Sequence, residues 1–301
     1  HYYFISLVAF ILIFLPANAS YSVDSYLNKK NNYSFLPQWN TDVLKLIIAI
    51  VYFYAGLAKI NSDWLLEAMP LKIWLPTNND IPFIKTILNQ NWMHFAFSWS
   101  GMLYDLCIPF LLLYKPTRKL AFVLVVIFHV LTRLLFPIRV FLSVMIISSL
   151  VFFDAGCHTI LLNKITGFLK INTTQFKEAT KVKNNKIGLY VLTLFMAFQL
   201  VFPFRYLLYQ SELFWTEEGY RFSWRVMLME KAAYTQFYVI TQNNEKIHIN
   251  NADFLTTFQE KQMAFQPDFI LEYAHIIAEH YKELGYKNPK VYAESYVALN
   301  G

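Results

Sequence analysis

Six apolar segments govern what this chain can become: residues 2–15, 43–59, 92–114, 120–135, 140–153 and 187–209. Several fall short of the roughly 20 residues that a helix needs to cross a bilayer, so their ends extend into polar flanks. The first is read as the end of a helix whose start is missing. A chain that is 56% hydrophobic and 18% aromatic, with a mean hydropathy of +0.34, is no ordinary soluble domain. The pattern predicts an all-α polytopic membrane bundle.

The charges divide the chain in two. Residues 1–209 hold 18 Lys and Arg against 8 Asp and Glu, whereas residues 210–301 hold 8 against 12. The expected organisation is a basic transmembrane helical domain (1–209) followed by a small, mildly acidic α+β extracytoplasmic domain (210–301) that breaks off at Gly301. The basic residues gather in three connections: Lys29, Lys30 and Lys45; Lys115, Arg118 and Lys119; and Lys164, Lys170, Lys177, Lys181, Lys183 and Lys186. Strict alternation puts all three on one side, which the positive-inside rule makes cytoplasmic. Basic loops, not nucleic acid, then account for the positive charge. His1, the end of the second segment, the loop 65–91 and everything after Tyr209 fall on the outer side.

Within the tail, residues 236–241 and 246–250 alternate about a turn and predict a hairpin. Residues 268–284 have helical spacing and stop at Gly285 and Pro289. Residues 290–299 predict a further strand. Cys107 and Cys157 suit neither a disulfide framework nor a zinc site. The histidines of HIIAEH (residues 275–280) are five apart and leave a common helical face, so no metal is expected. The chain opens on His1 without a methionine and is read as a fragment.

One stretch carries the chemistry. VYFYAGLAKINSDW (residues 51–64) brings Lys59 to the end of an apolar aromatic run, followed by Asn61, Asp63 and Trp64. An ionisable residue in such a segment is a functional-site hypothesis by default. The plain alternative is a lysine that snorkels from a helix terminus and pairs with Asp63. A lysine base must lose its proton near neutral pH, which desolvation favours and a charged carboxylate close by opposes. Further on, His129, Thr132 and Arg133 share one helix face, with Asp105 of the third segment a candidate partner for His129 or Arg133. His129 either orients a polar group of a substrate, such as a carboxylate, or makes a structural hydrogen bond.

The stretch resembles the signature of the vitamin K-dependent γ-glutamyl carboxylases, the membrane family built on the HTTM domain, here in a bacterial form. An aromatic-rich A-G-x-x-K-[LI]-x-x-D-W segment holds that family's catalytic lysine. Ala17, Asn18, Ser22, Val23 and Asp24, LPQWN (residues 36–40) and FWTEEGYRFSWRVML (residues 214–228) are similar to further family segments. The resemblance implies Lys59 as catalytic base with His1 beside it. It also implies quinone or substrate contacts from Trp215, Tyr220 and Arg225, alongside His129 and Arg133. The implied reaction is a carbon–carbon lyase reaction that couples oxidation of reduced vitamin K to its epoxide with carboxylation of protein glutamate. Reduced vitamin K (the hydroquinone), O2 and CO2 are the co-substrates, and no metal takes part. Implied partners are the lipid bilayer, a prenylated quinone and a Glu-containing secreted polypeptide. The bacterial inner membrane is the expected location, with the active face extracytoplasmic. The family's animal members carry two adjacent lysines at the signature, whereas here Ala58 precedes Lys59. Two alternatives stand beside this reading: a vitamin K hydroquinone epoxidase that carboxylates no protein, and a non-catalytic quinone-binding scaffold.

Overall fold

The computed structural model describes residues 2–18, 22–23, 27, 33–77, 84–136, 138–168, 180–181 and 185–301. His1, expected beside Lys59, lies outside them. The chain forms two compact units, His1–Val226 and Met227–Gly301.

The first unit is helical. Its long elements are α1 (Tyr2–Phe14), α2 (Trp39–Ala58), α3 (Asn91–Leu113), α4 (Arg118–Leu135), α5 (Arg139–Ser149) and α6 (Lys186–Val201). Helix α5 runs on as a 3-10 turn over Leu150–Phe152, and α6 does so over Phe202–Leu208. All six apolar segments are thus helical. Three helices, Trp39–Ala58, Asn91–Leu113 and Lys186–Leu208, are long and apolar enough to cross a membrane among the described residues. A further helix, Ala155–Phe168, lies where the sequence suggested only a cytoplasmic connection. The Lys-rich residues 170, 177 and 183 are outside the described set.

Spacing explains the packing. Phe4, Leu7 and Ile11 of α1, Ile47, Ile50 and Val51 of α2, and Ala121, Val125 and His129 of α4 recur at three or four residues and turn inward. The apolar ones among them meet Ile108 and Leu112 of α3 in one core. The outward faces are equally apolar: Val123, Ile127, Leu131 and Leu134 of α4 and Leu194 and Phe198 of α6 are exposed. Contiguous apolar surface of this kind suits lipid rather than water. At one end of the bundle Asp154 takes Arg118 at 3.3 Å and Lys115 at 3.4 Å.

The second unit is a three-stranded antiparallel sheet with two helices. β1 (Lys231–Ile240) lies between β2 (Lys246–His248) and β3 (Lys290–Leu299). The predicted hairpin, helix and last strand are all present. One face of β1 gives Phe237 and Val239 to a core with Ile249, Met263, Tyr273 and Ile277, each such side chain contributing on the order of 2 kcal/mol by burial. The other face carries tyrosines, with Tyr238 stacked on Tyr292 at 5.3 Å. A capping box between Thr256 and Gln259 starts α7 (Thr257–Met263). Pro267 opens α8 (Pro267–Glu283), and Gly285 follows it at φ +95°.

Candidate active site

Helix α2 ends at Lys59 because the chain re-caps itself at once. Asn61 Oδ1 accepts from the Trp64 N–H at 2.9 Å, and its Nδ2 donates to Ala58 O at 3.0 Å. The short turn Ser62–Leu65 that follows swings Trp64 back over the helix end. Trp64 is fixed there by its Nε1–H, which donates to Ser98 O at 2.9 Å, and by the Ser98 hydroxyl, which donates to Trp64 O. Its ring lies 5.5 Å from Lys59 Nζ.

The lysine is only 8% exposed. Its Nζ donates to Asp105 Oδ2 at 2.6 Å and to Ala55 O at 3.2 Å. The ion pair therefore forms with a carboxylate of α3, 46 residues on, and Asp105 serves Lys59 rather than His129 or Arg133. Gly56 makes this possible: a Cβ there would stand 2.7 Å from the backbone nitrogen of Leu106. Only a glycine lets the two helices close so tightly one turn from Lys59.

Helix α2 presents two chemical faces. Tyr52, Ala55, Gly56 and Lys59 share one. Tyr54, Leu57, Ala58, Ile60 and Asn61 instead line a cavity of about 270 Å3. Lys59 does not line it, although its two chain neighbours do. Pro203, Phe204, Tyr206, Glu212, Leu213, Phe214, Ser223 and Arg225 complete the wall.

The second signature supplies Phe214, Ser223 and Arg225 to that wall. Its backbone is left-handed at Glu217 (φ 60°), Phe222 (φ 60°) and Trp224 (φ 61°), conformations held only where surroundings over-determine them. Gly219 at φ +77° touches Tyr206, whose Cα would lie 2.6 Å from an added Cβ. Trp224 anchors the segment against Tyr3 at 5.0 Å and Phe4 at 6.5 Å. Arg225 then lies over the Tyr206 ring at 4.3 Å. Its buried Nε has no hydrogen-bond partner, and burial pulls its pKa below the usual guanidinium value.

The other expected residues scatter. Tyr220 packs on Phe214 at 6.3 Å, and Trp215 is exposed. His129 is buried, with Nε2 2.8 Å from the Tyr52 hydroxyl. Arg133 is exposed in the last turn of α4, one turn beyond His129. Sequence reasoning took Tyr52 and Tyr54 only as the aromatic surround that desolvates Lys59, and gave Tyr206 no role. Its only signal for Asp105 was a lone carboxylate in an apolar run.

Fold and site together define a membrane-embedded helical protein with a buried amine–carboxylate pair and an appended α/β domain. Residues 1–156, over half of the chain, match the HTTM domain. Residues 184–301 match the vitamin K-dependent gamma-carboxylase, lumenal domain. The chain belongs to the vitamin K-dependent γ-carboxylase family and is an integral membrane protein with an extracytoplasmic domain. No solved structure matches it.

Proposed function

We propose that this chain is a membrane enzyme that couples oxidation of reduced vitamin K to its epoxide with carboxylation of glutamate in a polypeptide. The observation that carries the reading is the Lys59–Asp105 pair, 2.6 Å apart and sealed at the end of α2 by Trp64. Buried pairs of this kind are expensive unless every atom is satisfied, and a lysine at membrane depth is seldom merely structural. The family membership supplies the co-substrates: reduced vitamin K, O2 and CO2.

The residues present suit such a co-substrate. Lys59 Nζ is the proton acceptor in the state in which the shared proton rests on Asp105 and the amine is neutral, and Asp105 also holds the amine in position. Trp64 keeps water from the amine, which matters because a strong base formed here would be quenched by water. When bound, reduced vitamin K supplies with oxygen the oxidative drive for removing a γ-proton from glutamate. The cavity beside Ala58 and Asn61 is the proposed glutamate site, with Arg225 pairing the substrate carboxylate. Lys59 lies towards the outer side of the membrane in this reading, and six helical segments span or enter it.

The ion pair also favours a second reading, a scaffold in which Lys59 and Asp105 only hold α2 to α3. Purified protein given reduced vitamin K, oxygen, bicarbonate and a Glu-rich peptide separates the cases. A carboxylase yields both epoxide and γ-carboxyglutamate, lost in Lys59→Ala. Epoxide alone identifies an epoxidase, and neither product sinks the enzymatic reading.

A further inference from the structure

The helix Ala155–Phe168 has no fully buried residue among those described along it. Cys157, Leu161, Ile165 and Phe168 recur at three or four residues and form one apolar stripe. Leu161, Ile165 and Phe168 stand 48%, 45% and 87% exposed, and Cys157 is exposed with them. Thr159 and Asn163 take the opposite side. The helix starts at the end of the bundle away from Lys59. Helix α3 passes Trp64 at Ser98 and Lys59 at Asp105, and then runs on to Leu113. Beside that end Arg118 Nε donates to Leu112 O at 3.0 Å, and Asp154, just before the helix, pairs with Arg118 and Lys115. Lys119 and Lys164 are exposed. Residues 114–119 and 154–168 thus carry four cations, Lys115, Arg118, Lys119 and Lys164, against the one carboxylate of Asp154.

We propose that this helix lies in the plane of the membrane as an anionic-lipid contact, its stripe among the acyl chains and its lysines at the headgroups. Fourteen residues reach only about 21 Å, too short to cross a hydrocarbon core of about 30 Å. In water the stripe would be an uncovered apolar patch. Lipid already reaches this end of the bundle, because Leu120 and Val123 in the first turns of α4 are exposed apolar residues. An amphipathic helix in the headgroup layer is held by apolar burial and by attraction to anionic lipid together. The excess of cations sets the lipid class, since each lysine near an anionic leaflet adds attraction. Lys164 borders the stripe, where its stem covers apolar surface while the amine reaches a phosphate. By the positive-inside rule this end is the cytoplasmic one. A protein partner would need carboxylates matched to these cations, whereas the bilayer around the bundle supplies both acyl chains and phosphates. The Asp154 pairs fasten the start of the helix to the bundle. Nothing in this placement depends on the chemistry at Lys59.

The test places nitroxide labels on the full chain in nanodiscs wide enough for two copies. Cys107→Ala and Cys157→Ala remove the native thiols, and single cysteines then enter as Leu161→Cys, Ile165→Cys, Phe168→Cys, Thr159→Cys or Asn163→Cys. Thermal unfolding of each labelled variant checks folding. Power saturation compares collisions with oxygen, which concentrates in acyl chains, and with a water-soluble nickel chelate. Labels at 161, 165 and 168 should favour oxygen, and those at 159 and 163 should favour nickel. Adding phosphatidylglycerol to phosphatidylcholine discs should raise the oxygen preference of the stripe, and Lys119→Gln with Lys164→Gln should abolish that gain. A stripe that meets nickel as often as the opposite side lies in water and overturns the proposal. A stripe shielded from both reagents is covered by protein, a second copy here, and overturns it too. Oxygen preference on both sides would bury the whole helix in the acyl layer, against the in-plane placement. No gain from phosphatidylglycerol refutes the anionic-lipid contact.

Discussion

Gly56 and Leu106 meet so closely that a Cβ on Gly56 would lie 2.7 Å from the Leu106 backbone nitrogen and 2.8 Å from its Cγ. Backbone cannot yield as a flexible side-chain tip can, so Gly56→Ala must push α2 away from α3. Overpacking of this kind costs about 1–3 kcal/mol. Gly101, also on α3, has nothing within 4 Å of an added Cβ, and alanine is the better helix former there. Thermal unfolding in detergent should show a clear loss for Gly56→Ala and none for Gly101→Ala. Activity should fall only in the first, because Lys59 and Asp105 move apart with the helices.

The pair itself predicts an asymmetry. Asp105→Leu leaves the Lys59 ammonium buried without its partner, a change that costs about 3–5 kcal/mol. Lys59→Met strands the carboxylate to similar effect. The double variant removes both charges and should recover most of that stability, since apolar replacement of a whole buried pair is close to neutral. A double-mutant cycle on unfolding free energies checks this. Additive losses would mean that the two groups do not depend on each other. If Lys59 is the base, the double variant is stable and still inactive.

The helices of the first unit were legible because apolar residues recur at helical spacing over whole segments, as in Phe4, Leu7 and Ile11. The strands of the second were legible from alternation, as at Phe237 and Val239, although β1 begins five residues earlier than residues 236–241 suggest, at Lys231. The partner of Lys59 was not. Asp63 is close in sequence, but Asn61 turns the chain there, and the bond to Asp105 depends on which faces of α2 and α3 meet. That choice is made by Gly56, whose role appears only when the opposing backbone is known. The helix Ala155–Phe168 was missed for a different reason: Asn163, Lys164 and Thr166 break its apolar pattern. Arg225 was nominated through resemblance alone, and its place on the cavity wall follows from the left-handed turns at Phe222 and Trp224.

Arg225 should separate binding from chemistry. If its guanidinium pairs the substrate carboxylate, Arg225→Gln raises KM for a Glu-containing peptide by roughly tenfold or more, the scale of a lost charged hydrogen bond. Peptide-independent epoxide formation should be unchanged. Arg225→Lys should rescue little, because an ammonium cannot reproduce the planar fork. Steady-state kinetics with peptide and hydroquinone varied in turn test this. Equal damage to both reactions would assign Arg225 to holding Tyr206 rather than to substrate.

Tyr273 of the second unit predicts a loss of stability at alkaline pH. Its hydroxyl is buried without a hydrogen-bond partner, and burial raises its pKa to about 12, with the charges of Glu260 and Asp253 adding to the effect. An unfolded tyrosine ionises near pH 10. The folded state therefore binds this proton more tightly than the unfolded one. The contribution is complete below about pH 10 and disappears as pH rises through about 12. Unfolding followed by circular dichroism should show the second unit weakening across that window. Tyr273→Phe removes the ionisable group and should flatten the profile, with little cost elsewhere because the lost hydroxyl had no partner. An unchanged alkaline slope in Tyr273→Phe would assign the loss to other groups.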